Sequence, residues 1–428
     1  MGWFIDQRLV LLFGRYEDPE LQSYLEAVAA TLLRTVDEDP TEWTFQVLDD
    51  AAIEASAAYG HYVWITRGML ALLHSEAELA GVLAHEIVHI VAGHADREPS
   101  PPDPYLRAKW NRFQLSRDDE AQADQQAVRM LERAGYDPRG VPSMLEAVYR
   151  PGGEELRGWN SRHPPLAVRL ALTARAANGG SDGRTGEEEF RRAIDGLVVG
   201  MDPRLFQVVD GRYINHRAGL SFDVGGWEVE TWYPGTVQSQ RLRAIHRGWG
   251  ASLSFSRIAP PAGFDIVADD ARENASTSST ELPLAGYPAT VSLVSPEAFD
   301  SGYEEGVLVQ LATFRARDRY RYGLFLATRG HRQERARELL EEVTGTFRRE
   351  RPGSPRPFRL RHMVLDRPST LDQLIASDCV SPGAEILFRH LNALVSPPVA
   401  AVAVPSDNLE TRPSDVRASG TIIKCVRH

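Results

Sequence analysis

The sequence predicts an α+β protein in three parts: a mainly helical first unit, an α+β unit after it, and a small C-terminal module. Three observations carry this reading. Apolar residues recur at helical spacing through much of the first 178 positions, and β-branched and aromatic runs prevail between 220 and 327. Stretches of linker composition at 178–183 and 351–355 interrupt the pattern. The expected units are therefore 1–178, 187–348 and 356–428.

Taken in order, Asp18, Pro19 and Glu20 read as an N-cap, a first-turn proline and an early acid. Leu21, Leu25, Val28, Leu32 and Leu33 follow at helical spacing, so a helix starts there. Residues 44–48 alternate like a strand, and 62–66 are β-branched and aromatic between Gly60 and Gly68. From 76 to about 92, Leu79, Val82, Leu83, Ile87, Val88, Ile90 and Val91 cover nearly the whole helical circumference. Such a helix is buried, and its few polar residues need partners. Ser116, with Asp119 three residues on, caps a helix over about 117–134 that Gly135 and Pro138 stop, and an arginine-rich helix follows near 165–177. In the second unit strands are expected at 220–224, 290–294, 307–314 and 320–327, with a helix over 332–347. The polar stretch 269–280 reads as a mobile loop.

With 428 residues, 43% hydrophobic and 25% charged, the chain has a globular composition. Its 48 basic and 59 acidic residues give a net charge of -11 without a basic block, which argues against a nucleic-acid partner. No apolar run approaches the roughly 18 residues of a membrane span, and no secretory signal is visible, so the protein is either cytoplasmic or begins after a leader. Cys379 and Cys425 either pair, in an oxidising compartment, or stand as two small apolar residues.

The chemistry concentrates on the buried helix, at His85-Glu86-Ile87-Val88-His89. At about 100° per residue the two imidazoles share a face one turn apart, close enough to hold one zinc ion, and Glu86 stands beside the metal as a base for water. A catalytic zinc takes three protein ligands. Glu120 and Asp124 lie one turn apart on the next helix, and we assign Glu120 as the third ligand and Asp124 as the acceptor of a ligating histidine's N–H. His94 reads as a capping or surface histidine near the helix end.

These residues lie within longer strings: Ile65-Thr66-Arg67-Gly68-Met69-Leu70, the run from Ser75 to Glu86, Glu120 to Asp124, and Ala134-Gly135-Tyr136-Asp137-Pro138. Ser161-Arg162-His163-Pro164-Pro165 followed by Arg169 adds a further piece. On them, residues 20–178 resemble the M48 family of zinc metalloendopeptidases. The resemblance implies a zincin-type domain with one zinc per chain on His85, His89 and Glu120, and Glu86 as general base. It also implies His163 or Arg169 near the site: His163 as oxyanion donor or resting-state cap, Arg169 orienting carboxylates or substrate carbonyls. If strand 62–66 is the sheet edge beside the metal, it binds substrate by strand addition. One departure is local. Many relatives carry Asn-Ala-Phe-Ala and then Pro-Gly-Gly before that strand, where this chain reads Glu54-Ala55-Ser56-Ala57-Ala58-Tyr59-Gly60-His61.

Residues 193–203 resemble the start of the accessory domain in envelope M48 proteases. Thr370-Leu371, Leu391-Asn392-Ala393-Leu394 and Thr421-Ile422-Ile423-Lys424 look like a degraded LysM-like module, whose contacts would be weak peptidoglycan binding or an envelope protein. The implied function is hydrolysis of unfolded or misassembled polypeptides in the bacterial envelope. The alternative is a latent, non-catalytic assembly or scaffold factor with a self-capped zinc site.

Overall fold

In a computed structural model the described residues are 2–94, 117–149, 165–177, 182–229, 242–259, 275–294, 307–329, 333–351, 353, 355–381, 384–385, 388, 391–392, 416–417 and 422–428. Helices and strands are mixed, as an α+β reading requires. The chain opens with helix α1 (Gly2–Phe13), for which the sequence reading had no element, and α2 (Pro19–Leu33), where Asp18 accepts from the Leu21 N–H at 3.1 Å. Three strands follow, β1 (Thr44–Leu48), β2 (Ala55–Ala58) and β3 (Tyr62–Thr66), in the order β1-β3-β2. β1 pairs with β3 in parallel and β2 pairs antiparallel on its other side. Strand 62–66 is therefore central, and the expectation that it forms the sheet edge is corrected: the outer strands are β1 and β2, and the helix Glu76–Val91 packs against β2.

Helix α3 (Arg67–Leu72) leads into α4 (Glu76–Val91), whose N-cap Ser75 accepts from the Glu78 N–H at 3.1 Å. Leu79, Leu83, Ile87 and Val88 are all fully buried, so α4 is enclosed on every side. It packs against α5 (Arg117–Arg133), α6 (Gly140–Tyr149) and the edge strand β2, and α7 (Leu166–Ala177) covers α5 and α6. The approach of α4 and α6 is too close for a side chain: a Cβ at Gly140 would stand 2.4 Å from the Ala77 carbonyl oxygen.

After α8 (Glu187–Ala193) come β4 (Phe206–Val209), β5 (Arg212–Asn215), β6 (Leu220–Asp223), β7 (Glu228–Val229), β8 (Leu242–His246), β9 (Ala251–Ala259), β10 (Ala275–Leu284), β11 (Tyr287–Val294), β12 (Val307–Arg315) and β13 (Arg321–Arg329), then α9 (Gln333–Gly345) and β14 (Arg348–Arg349). They form a seven-stranded antiparallel sheet, β10-β11-β12-β13-β9-β8-β7, and a four-stranded one, β14-β6-β5-β4. Their shared core stacks Phe222 on Phe347 at 4.5 Å, with Tyr213, Phe255 and Phe314 around them. The loop expected over 269–280 is corrected from 275 onward. That part is β10, a largely polar strand held by its ladder with β11, while 269–274 lie outside the described residues.

The C-terminal residues form β15 (Arg359–Val364), β16 (Ser369–Thr370), α10 (Leu371–Ile375), β17 (Val416–Arg417) and β18 (Ile422–Arg427), with β15 antiparallel to β18. Cys379 and Cys425 are disulfide-bonded. Leu360, Leu374, Phe388 and Val426 join the hydrophobic cluster that holds α2 and α4. From β18 the buried Lys424 ammonium donates to the carbonyls of Ala71, Leu72 and Leu73 at 2.7, 2.8 and 2.7 Å, capping the end of α3. A second buried cation links the first and second units: Arg67 donates to Asp49 at 2.8 Å and to the carbonyls of Val198 and Gly200.

Candidate metal centre

α4 presents His85 and His89 one turn apart, and α5, packed against it, presents Glu120 and Asp124 in the same way. The two Nε2 atoms are 3.1 Å apart, with His85 Nε2 3.6 Å and His89 Nε2 3.5 Å from the Glu120 carboxylate. Zinc bound at about 2.1 Å in tetrahedral geometry sets its donors about 3.4 Å apart, and the two rings and the carboxylate, whose Oε2 faces His85 and Oε1 faces His89, approach one another at that spacing. The three side chains are buried, and among the described residues they are the group that could hold a metal ion.

The electrostatics of the site favour positive charge. Burial disfavours a charged His85 ring, yet the carboxylates of Asp124 and Glu120 outweigh it and hold the ring's pKa up at about 10. A site that recruits a proton this strongly suits a dication in its place. Burial pushes the Glu86 pKa up to about 7, with Glu120 adding to the rise and His85 opposing it, in the range a general base needs near neutral pH. Glu86 itself stays partly exposed.

Each histidine is backed by a second group. Asp124 Oδ1 lies 3.1 Å from His85 Nδ1. Asp124 is clamped by Arg169, whose Nε and Nη2 donate to its two oxygens at 2.8 and 2.7 Å, both side chains being fully enclosed. Arg169 thus reaches the site through Asp124 and stands 4.0 Å from Glu120. Burial would raise the Asp124 pKa, but Arg169 and His85 pull it down to about 2 from 3.8. A depressed carboxylate stabilises the fold above its unfolded pKa and loses that contribution as pH falls through the folded one. Acid unfolding of the metal-free chain should therefore steepen between about pH 4 and 2, and Asp124→Asn should flatten it.

His94 is not a surface residue, which corrects the sequence reading. It is 2% exposed, and its Nδ1 lies 2.9 Å from His89 Nδ1. Asp119, in the first turn of α5, is buried and holds Oδ1 3.7 Å from His94 Nε2. His163 lies outside the described residues.

A buried helix with two histidines one turn apart, a carboxylate beside the first and a glutamate from the next helix define a metallopeptidase domain. Residues 16–100 and 110–176 match the model of peptidase family M48. The beta-barrel assembly-enhancing protease of Escherichia coli (strain K12) is 23% identical over 261 residues, 54% of this chain and 51% of that protein. The mitochondrial metalloendopeptidase OMA1 of Arabidopsis thaliana is 29% identical over 152 residues, 31% of each. The chain spans between about a third and a half of the length of these relatives.

Proposed function

We propose that the protein is a zinc endopeptidase that hydrolyses peptide bonds of unfolded or misassembled polypeptides. The observation that carries this is the buried cluster of His85, His89 and Glu120, to which Glu86 is electrostatically coupled. Bound zinc supplies Lewis-acid chemistry, lowering the pKa of water and polarising the scissile carbonyl. The chain's residues do the rest. Glu86 takes the proton of the attacking water and hands it to the leaving amine, while Asp124, held by Arg169, keeps His85 in orientation. Removing that support, by Arg169→Ala or Asp124→Asn, should weaken zinc binding about 10- to 100-fold in chelator competition.

Substrate is read along β2. Thr66 N donates to the Glu54 carbonyl and Glu54 N to Thr66 Oγ1, so Glu54 and Thr66 occupy a hydrogen-bonded position of the antiparallel pair. Ser56 and Ala58 follow in phase, leaving the backbone groups of Ala55 and Ala57 facing the side of β2 that pairs with no strand among the described residues. An extended peptide can add there as a further strand beside α4. Ala57→Pro deletes one outward N–H without touching the β2–β3 ladder and should raise KM severalfold with kcat little changed, measured on a denatured protein substrate. The departure from the family pattern, residues 54–57, falls on this edge and so bears on which side chains are accepted, not on hydrolysis.

An oxidising, envelope location is supported by the Cys379–Cys425 bond and by the relatives described as beta-barrel assembly-enhancing. For the C-terminal module we retain weak glycan or envelope-protein contact. The test of the whole reading is paired: zinc content and casein cleavage of wild type and Glu86→Gln, purified side by side. Zinc in both, with cleavage by wild type alone and blocked by a chelator, is the expected result. An absence of zinc from wild type would overturn it.

A further inference from the structure

We infer that His94 is a positioning residue of the metal centre, fixing the tautomer and ring plane of His89 from behind as Asp124 does for His85. The inference rests on the zinc reading of the site and adds a residue to it.

The backbone places His94 there by a specific device. α4 ends in a Schellman motif: Gly93 takes a positive φ of 63°, its N–H donates to the Ile90 carbonyl, and the His94 N–H donates to the His89 carbonyl at 3.1 Å. That motif folds the residue after the glycine back onto the one five positions earlier. Here the two residues so brought together are His94 and His89, whose rings meet edge to face with centroids 5.0 Å apart.

The proton inventory then follows. His89 turns Nε2 toward His85 and Glu120, so Nε2 must present its lone pair to a metal and the ring proton sits on Nδ1. His94 Nδ1, 2.9 Å away, accepts that proton's hydrogen bond, which leaves the His94 proton on Nε2. Among the described residues this buried Nε2 has no hydrogen-bond partner, and it faces the Asp119 carboxylate at 3.7 Å. The order His89, His94, Asp119 thus runs outward from the ligand. It parallels the order His85, Asp124, Arg169 but places a neutral ring next to the ligand where the other arm places a carboxylate.

A merely space-filling His94 would be replaced without loss by another ring. The test measures zinc affinity of the full-length chain by competition with a chromophoric chelator, alongside thermal unfolding of the metal-free protein. His94→Phe keeps the ring and removes the acceptor; His94→Gln restores an acceptor oxygen. We expect zinc to bind about 10- to 100-fold more weakly to the Phe variant, most of the affinity to return in the Gln variant, and metal-free melting to change far less. Wild-type affinity in the Phe variant would overturn the proposal, as would equal losses in Phe and Gln. If the Phe variant does not fold, His94→Leu, which needs less volume, is read by the same criteria. A wild-type chain that binds no zinc fails the underlying reading instead, whatever the His94 variants do.

Discussion

Glu86→Gln should lose at least about 100-fold, and up to about 10,000-fold, in kcat while keeping roughly one zinc per chain. The amide is nearly isosteric and stays on the enclosed helix α4, so the donor set of His85, His89 and Glu120 is undisturbed. What disappears is the carboxylate that the proposed mechanism uses to accept the proton of attacking water. The pH profile of wild type carries the same information. Burial lifts the Glu86 pKa to about 7, and a bound cation can only lower it, so kcat/KM should fall on the acid side at or below about pH 7, as protonation removes the base. A Gln variant with more than a tenth of wild-type turnover would mean that another group activates the water, and the role given to Glu86 would be withdrawn.

Much of the site could be read from the chain because its chemistry is periodic. Two histidines four apart on a helix and two carboxylates four apart on the next require only the helical repeat to be aligned, and both helices carry strong local signals. The strands at Thr44–Leu48 and Tyr62–Thr66 likewise followed from β-branched and aromatic content. Their order did not, because which strand lies at an edge is set by pairing across the sheet and leaves no mark on the strand's own sequence. β10 was misread for a related reason: Ser276 to Glu281 is polar throughout, and only the partner strand makes it β. His94 was missed because helical periodicity stops before it. The usable signal was Gly93, since a glycine just past a helix end reverses the chain and returns the next side chain to the last turn. The cysteines left two readings open because 46 residues separate them, and only the placing of β18 against the segment around Cys379 decides between them.

Lys424→Met should be strongly destabilising although it lies outside the metal centre, by roughly 3 kcal/mol. Burial pushes the lysine's pKa down to about 7, but three carbonyls at the negative end of α3 favour the ammonium, and only the ammonium can donate to all three. Methionine fills similar volume and donates nothing, leaving three acceptors in a dry core at about 1 to 3 kcal/mol each, partly offset because no charge need be buried. Those carbonyls belong to the residues just before the Ser75 cap, so the change loosens the start of the helix that carries His85 and His89. The adjacent Cys425 holds the same strand to Cys379. In the chain-entropy limit, opening a loop of that length costs about 4 kcal/mol, and Cys379→Ala should approach it. Because both changes act on the seating of β18, their costs should be less than additive: once the strand is released by one, little remains for the other to remove. Denaturant unfolding of the two single variants and the double variant measures this coupling directly. A fully additive double variant would show that Lys424 and the disulfide stabilise separate elements, and a Lys424→Met chain as stable as wild type would show that α3 needs no cap from the C-terminal strand.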